Sequence, residues 1–169
     1  MDLRSYDMER SEPVRLDGEW EFYWRQILEP ASFRTGNSGA PGEFFTVPGV
    51  WNNRPAGDTI IDGDGYATFR LTVLTDGRGG IRTLKIPVMA TSYRLYVNGR
   101  LLAANGTAST SPESTRPEYN PTTASFELTG NMIEIVMHIS NFRSDKGGPW
   151  NSIHLGTEPE IMKLRDRRL

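Results

Sequence analysis

Alternation of apolar and polar residues is the dominant pattern along the chain, and it predicts β-strands. Residues 66–74 carry alanine, phenylalanine, leucine and valine at every second position, and residues 132–141 do the same with isoleucine and methionine. Because side chains of a strand point alternately to its two faces, each stretch has one apolar face for a core. These two stretches are predicted as the longest strands.

A third alternating stretch is aromatic. Trp20, Phe22 and Trp24 follow an Asp-Gly turn and share one face. A short helical turn is predicted near Pro30. Further strands are predicted at residues 44–47, 81–88, 125–128 and 152–155, with Pro87 indicating an edge strand or a bulge.

The most specific local signal is the hairpin of residues 92–102. Its Asn98-Gly99 pair lies between apolar runs and supplies the two positive-φ residues of a type I′ turn. The first arm should therefore place Tyr93, Leu95 and Val97 inward. Arg94 and Tyr96 fall on the opposite face of that arm.

These elements predict an all-β fold, an antiparallel two-sheet jelly-roll sandwich. Helical signals are confined mainly to the C-terminal end, where Thr157 and Glu160 have the spacing of a capping box. We therefore expect one sandwich domain at residues 1–157, beginning with an irregular arm, and a short helix within residues 158–169.

Composition excludes several classes of function. The 169 residues contain no cysteine and carry a formal net charge of −2. Disulfides and thiolate metal sites are therefore absent, and the basic residues form no stripe suited to nucleic acid. No apolar run approaches the ~20 residues of a membrane span, and the N-terminus lacks the apolar core of a signal peptide.

Catalytic motifs are missing as well, so we expect no enzymatic activity and no cofactor. The two histidines, His138 and His154, lie in strand-like segments, and no nucleophile elbow, zinc pair or phosphate loop is present. Asp62 and Asp64 flank a glycine, which fits a turn held by Asx hydrogen bonds better than the weaker alternative, a calcium loop.

Binding is better represented in the sequence than catalysis. Sugars are recognised by aromatic rings and by planar polar side chains, and residues of both kinds cluster near predicted strand ends. Trp20 and Trp51 are also expected in the core, whereas for Trp150 a core role and a ligand role stand about even. The ligand-binding candidates are Trp51, Asn52, Tyr66, Arg94, Tyr119, Asn141, Arg143, Trp150 and Asn151.

Four segments of the chain resemble the N-terminal sugar-binding jelly roll of glycoside hydrolase family 2 (GH2). They are residues 16–22, 47–51 and 93–100, together with an isoleucine-rich strand that ends in Asn141. The resemblance implies a fold like that of galactose-binding domains.

A narrower resemblance covers nearly the whole chain. Residues 2–6, 20–24, 140–142, 147–148, 150–153 and 155–158 resemble an extracytoplasmic sensor domain of bacterial seven-transmembrane receptors with diverse intracellular signalling modules. It implies a periplasmic location, a membrane anchor elsewhere in the full-length receptor, and a carbohydrate or similar small molecule as ligand. It implies no catalytic residues.

The expected function is therefore ligand sensing by a membrane receptor, with carbohydrate bound at the loop ends of the sandwich. One alternative is a non-catalytic carbohydrate-binding or scaffolding module of a secreted glycosidase. Another is a protein-interaction domain, including a homodimer, because aromatic residues near glycine-rich loops also suit protein interfaces.

Overall fold

The computed structural model describes residues 1–36, 43–89, 92–106, 110–111 and 121–167. Within them the chain forms twelve strands and two short helices. The strands are β1 (Val14–Arg15), β2 (Gly18–Trp24), β3 (Glu43–Val47), β4 (Pro55–Ala56), β5 (Thr59–Ile60), β6 (Gly65–Leu74), β7 (Gly80–Ile86), β8 (Ser92–Val97), β9 (Arg100–Asn105), β10 (Thr122–Leu128), β11 (Met132–Asn141) and β12 (His154–Gly156). The helices are α1 (Pro30–Thr35) and α2 (Glu158–Asp166).

Two antiparallel sheets form the sandwich. The large sheet has the strand order β3-β2-β6-β11-β8-β9, and the small sheet has the order β1-β12-β7-β10. Strands β4 and β5 form a separate small hairpin. The predicted all-β, two-sheet jelly roll with a C-terminal helix is thus confirmed.

The core lies between the inner faces of the two sheets. In the centre of the large sheet, β6 and β11 pair along their whole length, with Phe69 opposite Met137 and Leu71 opposite Ile135. All four side chains are buried, as the alternating pattern predicts. The small sheet contributes the buried side chains of Leu84, Ile86 and Leu155.

The predicted hairpin is confirmed in its turn and in its inward face. Asn98 and Gly99 both have positive φ, 48° and 84°, and Tyr93, Leu95 and Val97 are buried. Strand β8 pairs with β11, so the hairpin belongs to the large sheet. A register shift between Leu95 and Tyr96 was not foreseen.

The outer face of the large sheet is partly covered by residues 25–36, which we call the strap. It leaves the end of β2, contains α1, and places Phe33 against Tyr23 with the ring centroids 5.5 Å apart. Tyr23 and Tyr96 are therefore buried although both point away from the sandwich core.

Two local predictions differ from the structure. Strand β7 ends at Ile86, before Pro87, and lies between β12 and β10 rather than at an edge. Thr157 occupies the N-cap position of α2 but makes no side-chain capping bond, and the Glu160 carboxylate pairs with Lys163 at 2.9 Å. Helix α2 packs on β7 and β12 through the buried Ile161.

Candidate functional site

The loops at one end of the sandwich are tied together through the carbonyl oxygen of Gly63. It accepts hydrogen bonds from Trp51 Nε1 at 3.0 Å and from Asn141 Nδ2 at 2.6 Å. A Cβ at position 63 would collide with the carbonyl of Asp145. Glycine is required here because three chain segments meet at this point.

The loop of residues 142–150 is fixed by two asparagines. Asn52 Nδ2 donates to the Asp145 carbonyl at 2.6 Å, and its Oδ1 accepts the N–H of Gly147 at 3.0 Å. Asn141 bonds both the carbonyl and the N–H of Ser144, at 3.0 and 3.1 Å. Both side chains therefore use their amide groups to hold the backbone of this loop in place.

An aromatic cluster lies beneath these loops. Trp51 is fully buried, stacks on Phe69 at a centroid distance of 6.4 Å, and meets Trp24 edge-on at 5.1 Å. Gly147 packs directly against the indole of Trp51, where a Cβ would overlap the ring. Trp51 supports the loops from below and has no surface of its own for a ligand.

An open cleft lies beside this cluster, and we call it the end cleft. It consists of two adjoining hollows of about 380 and 400 Å³, which share Arg25, Asp62 and Asp64. This size is within the roughly 300–1,000 Å³ typical of small-molecule sites. The remaining lining residues are Trp24, Thr59, Ile60, Ile61, Gly65, Tyr66, Thr110 and Phe142.

Arg25 reaches the cleft because the chain turns sharply after β2. Its φ is 56°, its N–H donates to the Tyr66 carbonyl at 2.9 Å, and its guanidinium lies 6.0 Å from the centroid of the Trp24 ring. Asp62 and Asp64, which also line the cleft, belong to one turn, in which the N–H of Asp64 donates to Asp62 Oδ1 at 3.0 Å. The predicted Asx turn is confirmed.

The strap that carries Arg25 is pinned to the large sheet. Thr68 Oγ1 donates to the Gln26 carbonyl at 2.7 Å and accepts the N–H of Leu28 at 3.0 Å. His138 Nε2 lies 2.8 Å from the Leu28 carbonyl, and since a carbonyl only accepts, the ring donates. Burial lowers the pKa of His138, while the bond to Leu28 and the nearby Glu29 oppose that shift.

The predicted ligand-binding residues do not all meet at the end cleft. Tyr66 lines the cleft, and Trp51, Asn52 and Asn141 hold the loops beside it. Trp150 is half-buried and donates from Nε1 to the Val88 carbonyl at 3.0 Å.

Three other candidates are exposed. Arg143 and Asn151 lie on the surface and do not line the cleft. Arg94 projects from the outer face of the large sheet, 5.9 Å from the Tyr96 ring centroid. Tyr119 lies outside the described residues.

Sequence reasoning missed Trp24, Arg25 and Ile60 as cleft residues. Trp24 was assigned to the core face of β2, and a single arginine after a strand forms no pattern. Ile60, which is 71% exposed, lies outside every predicted strand. The one usable signal was the position of Arg25 directly after a strand end, where ligands are often bound.

In the part of the chain that the structure describes, no group of three or more His, Cys, Asp or Glu residues is arranged to hold a metal ion. Of the described helices, none combines the length and the apolar character needed to cross a membrane.

No protein-family model and no curated protein matches this chain. Solved structures do match in fold. A GH2 β-galacturonidase from Eisenbergiella tayi, solved with galacturonate, aligns over 86% of this chain and 24% of its own, with 14% identity and a TM-score of 0.58. The β-glucuronidase of Ruminococcus gnavus aligns over 85% and 27%, with 15% identity and a TM-score of 0.60.

A putative β-galactosidase from Bacteroides fragilis aligns over 86% of this chain and 23% of its own, with 16% identity and a TM-score of 0.54. The chain thus spans about a quarter of the length of these solved proteins. The matches establish the fold as the jelly-roll type of β-sandwich found within GH2 glycosidases. The GH2 resemblance is confirmed at the level of fold, and the sensor-domain resemblance stays a prediction.

Proposed function

We propose that this chain is a non-catalytic β-sandwich module that binds carbohydrate in the end cleft. The observation that carries the proposal is the cleft itself, where exposed Ile60, half-buried Trp24 and Tyr66, and three charged side chains meet. Apolar surface suits the C–H face of a sugar ring, and the polar groups suit its hydroxyls. The fold shared with GH2 glycosidase domains supports the same function.

The arrangement of the acids favours binding over hydrolysis. Cleavage of a glycosidic bond generally uses two carboxyl groups that flank the bond. Asp62 and Asp64 belong to a single turn, whose backbone ties them together. Two carboxylates from one turn stand on the same side of a ligand, so they hold it without flanking a bond.

A first experiment screens methyl glycosides of neutral, acidic and amino sugars by thermal shift and by tryptophan fluorescence. Binding in the cleft should alter the emission of Trp24, which lines it. Ile60→Ala should weaken binding of every active sugar, because it removes apolar surface from the cleft wall.

The matched control is Ile81→Ala. Ile81 is also an exposed aliphatic residue, 53% accessible, but it lies on β7 in the small sheet and does not line the end cleft. This variant should bind as the unmodified protein does. Loss of binding in Arg143→Ala and Asn151→Ala, with Ile60→Ala unaffected, would move the site to the surface of the neighbouring loop.

A second candidate function is the periplasmic sensor domain of a membrane receptor. The packing of α2 on the small sheet through Ile161 favours it, because a rearrangement of that sheet would then move the helix that follows it. The discriminating experiment is fractionation of the full-length gene product. Recovery in the inner membrane supports a receptor, and recovery as part of a secreted glycosidase supports the module.

A further inference from the structure

We propose that the end cleft selects its carbohydrate by charge and prefers amino sugars over neutral sugars, and neutral sugars over uronic acids. The inference rests on the proposed function, because it concerns the ligand of the same cleft. Its basis is the set of ionised groups on the cleft wall. Among the described residues these are the guanidinium of Arg25 and the carboxylates of Asp62 and Asp64, which together carry a net charge of −1.

Neighbouring charges do not reverse this balance. Arg54 directly precedes the β4–β5 hairpin. It pairs with Glu43 at 3.2 Å and does not line the cleft. Arg143 follows the lining residue Phe142 but is exposed outside the cleft. Of the charged residues that the structure describes, only the two aspartates and the one arginine line the cleft.

All three charged side chains line both hollows of the cleft. Arg25 lies toward Trp24, with its guanidinium 6.0 Å from the centroid of that ring. The two aspartates lie on a turn shared by both hollows, so a ligand in either hollow meets them. An ammonium group on a sugar would find two carboxylates, whereas a uronate would meet them with only one guanidinium to compensate.

The expected discrimination is modest because these side chains are exposed. Two unit charges about 6 Å apart in water change an equilibrium constant by roughly threefold, and by more where water is partly excluded. We therefore expect an amino sugar to bind roughly three- to tenfold more tightly than its neutral counterpart. Added salt should reduce the preference, because it screens exposed charges.

The test uses two matched sets of methyl β-glycosides, one of the gluco and one of the galacto series. Each set contains the 2-amino sugar, the neutral sugar and the uronic acid, and affinities are measured by calorimetry at about pH 6, where amines and carboxylates are both charged. The expected order is amino sugar, then neutral sugar, then uronic acid, with a spread that narrows at high salt.

Variants assign the effect to the cleft. The double variant Asp62→Asn/Asp64→Asn keeps an acceptor for the turn but removes both charges, so the amino-sugar preference should disappear. Asp166→Asn removes a carboxylate from α2, which packs on the other sheet, and should leave the preference intact. Arg25→Gln should enlarge the preference for the amino sugar.

The outcomes separate the two proposals. Tightest binding by a uronic acid, or equal affinity within a set at low salt, overturns the charge selection and leaves carbohydrate binding in place. Absence of binding by all six glycosides overturns both. A preference that survives in the double variant overturns the assignment to Asp62 and Asp64.

Discussion

Asn141 Nδ2 donates a 2.6 Å hydrogen bond to the carbonyl oxygen of Gly63, and this bond joins the end of β11 to the loop before β6. The asparagine is fully buried and also holds both backbone groups of Ser144. Asparagine side chains often bind sugar hydroxyls, but this one is hydrogen-bonded to the backbone of the loops and holds their conformation. The end cleft is built beside it from other residues.

Replacing Asn141 by alanine should destabilise the protein by about 2 kcal/mol, because the substitution removes the buried bond to the Gly63 carbonyl and leaves the part-buried backbone groups of Ser144 without their partner. Urea denaturation measures the change. Asn151→Ala, at an exposed position in the next loop, should stay within about 0.5 kcal/mol of the parent. Equal stability of the two variants would show that water replaces the lost bonds.

Arg70 is expected to stabilise the covered outer face of the large sheet. Its guanidinium bonds Glu21 at 2.9 Å and Glu134 at 2.7 Å and lies 4.7 Å from the centroid of the Phe33 ring in the strap. Arg70→Met should cost about 1–2 kcal/mol, less than a fully buried pair because the side chain is 24% exposed.

The control for Arg70 is another arginine paired with an acid. Arg4 bonds Asp2 at 2.8 Å, but both side chains are more than half exposed. Arg4→Met should therefore produce no measurable change in the denaturation midpoint. If both variants unfold at the same urea concentration, the network on the outer face contributes nothing beyond an ordinary surface pair.

Much of the fold was predictable because alternation records which face of a strand is buried. Strands β2, β6, β8 and β11 were all found in this way, and Asn98-Gly99 defined a turn by local conformation alone. Alternation does not show whether a polar face is covered by something else. Burial of Tyr23, Tyr96 and His138 therefore depended on the strap, which has no periodic signal of its own.

The end cleft was predictable only in part. Tyr66 was found because it opens a clear strand beside a turn of two aspartates. Arg25, Ile60 and Phe142 come from three distant segments, and strand pairing alone brings them to one end of the sandwich. Asn52 and Asn141 carry amide groups that could hydrogen-bond a sugar. The sequence does not reveal that these amides are hydrogen-bonded to backbone groups instead.

His138 should make the stability of the protein fall as the pH is lowered below about 6.5. Burial lowers the pKa of the folded ring, with Glu29 opposing and Arg94 adding to the shift. Because the folded protein keeps the ring neutral where the unfolded chain protonates it, unfolding takes up a proton. Acid therefore favours the unfolded state between the unfolded and the folded pKa.

The measurement compares urea denaturation of the parent and of His138→Gln between about pH 5 and pH 7. Glutamine can still donate to the Leu28 carbonyl, so the strap bond is retained while the titration is removed. His154 is present in both proteins, and its contribution cancels in the difference. Identical pH profiles would contradict a depressed pKa at His138.

Glu9 is expected to matter more than its exposure suggests. Its carboxylate is 52% exposed, but it bonds the guanidinium of Arg82 at 2.7 Å, and the Arg82 side chain is only 1% exposed. Glu9→Gln removes the carboxylate that neutralises this buried charge, so it should cost about 2 kcal/mol. Glu160→Gln is the matched control, because its partner Lys163 is 66% exposed, and little change is expected. The Arg82 guanidinium also donates to the backbone carbonyls of Ile81 and Arg78. Similar stability of the two glutamine variants would show that these two bonds suffice for the buried guanidinium.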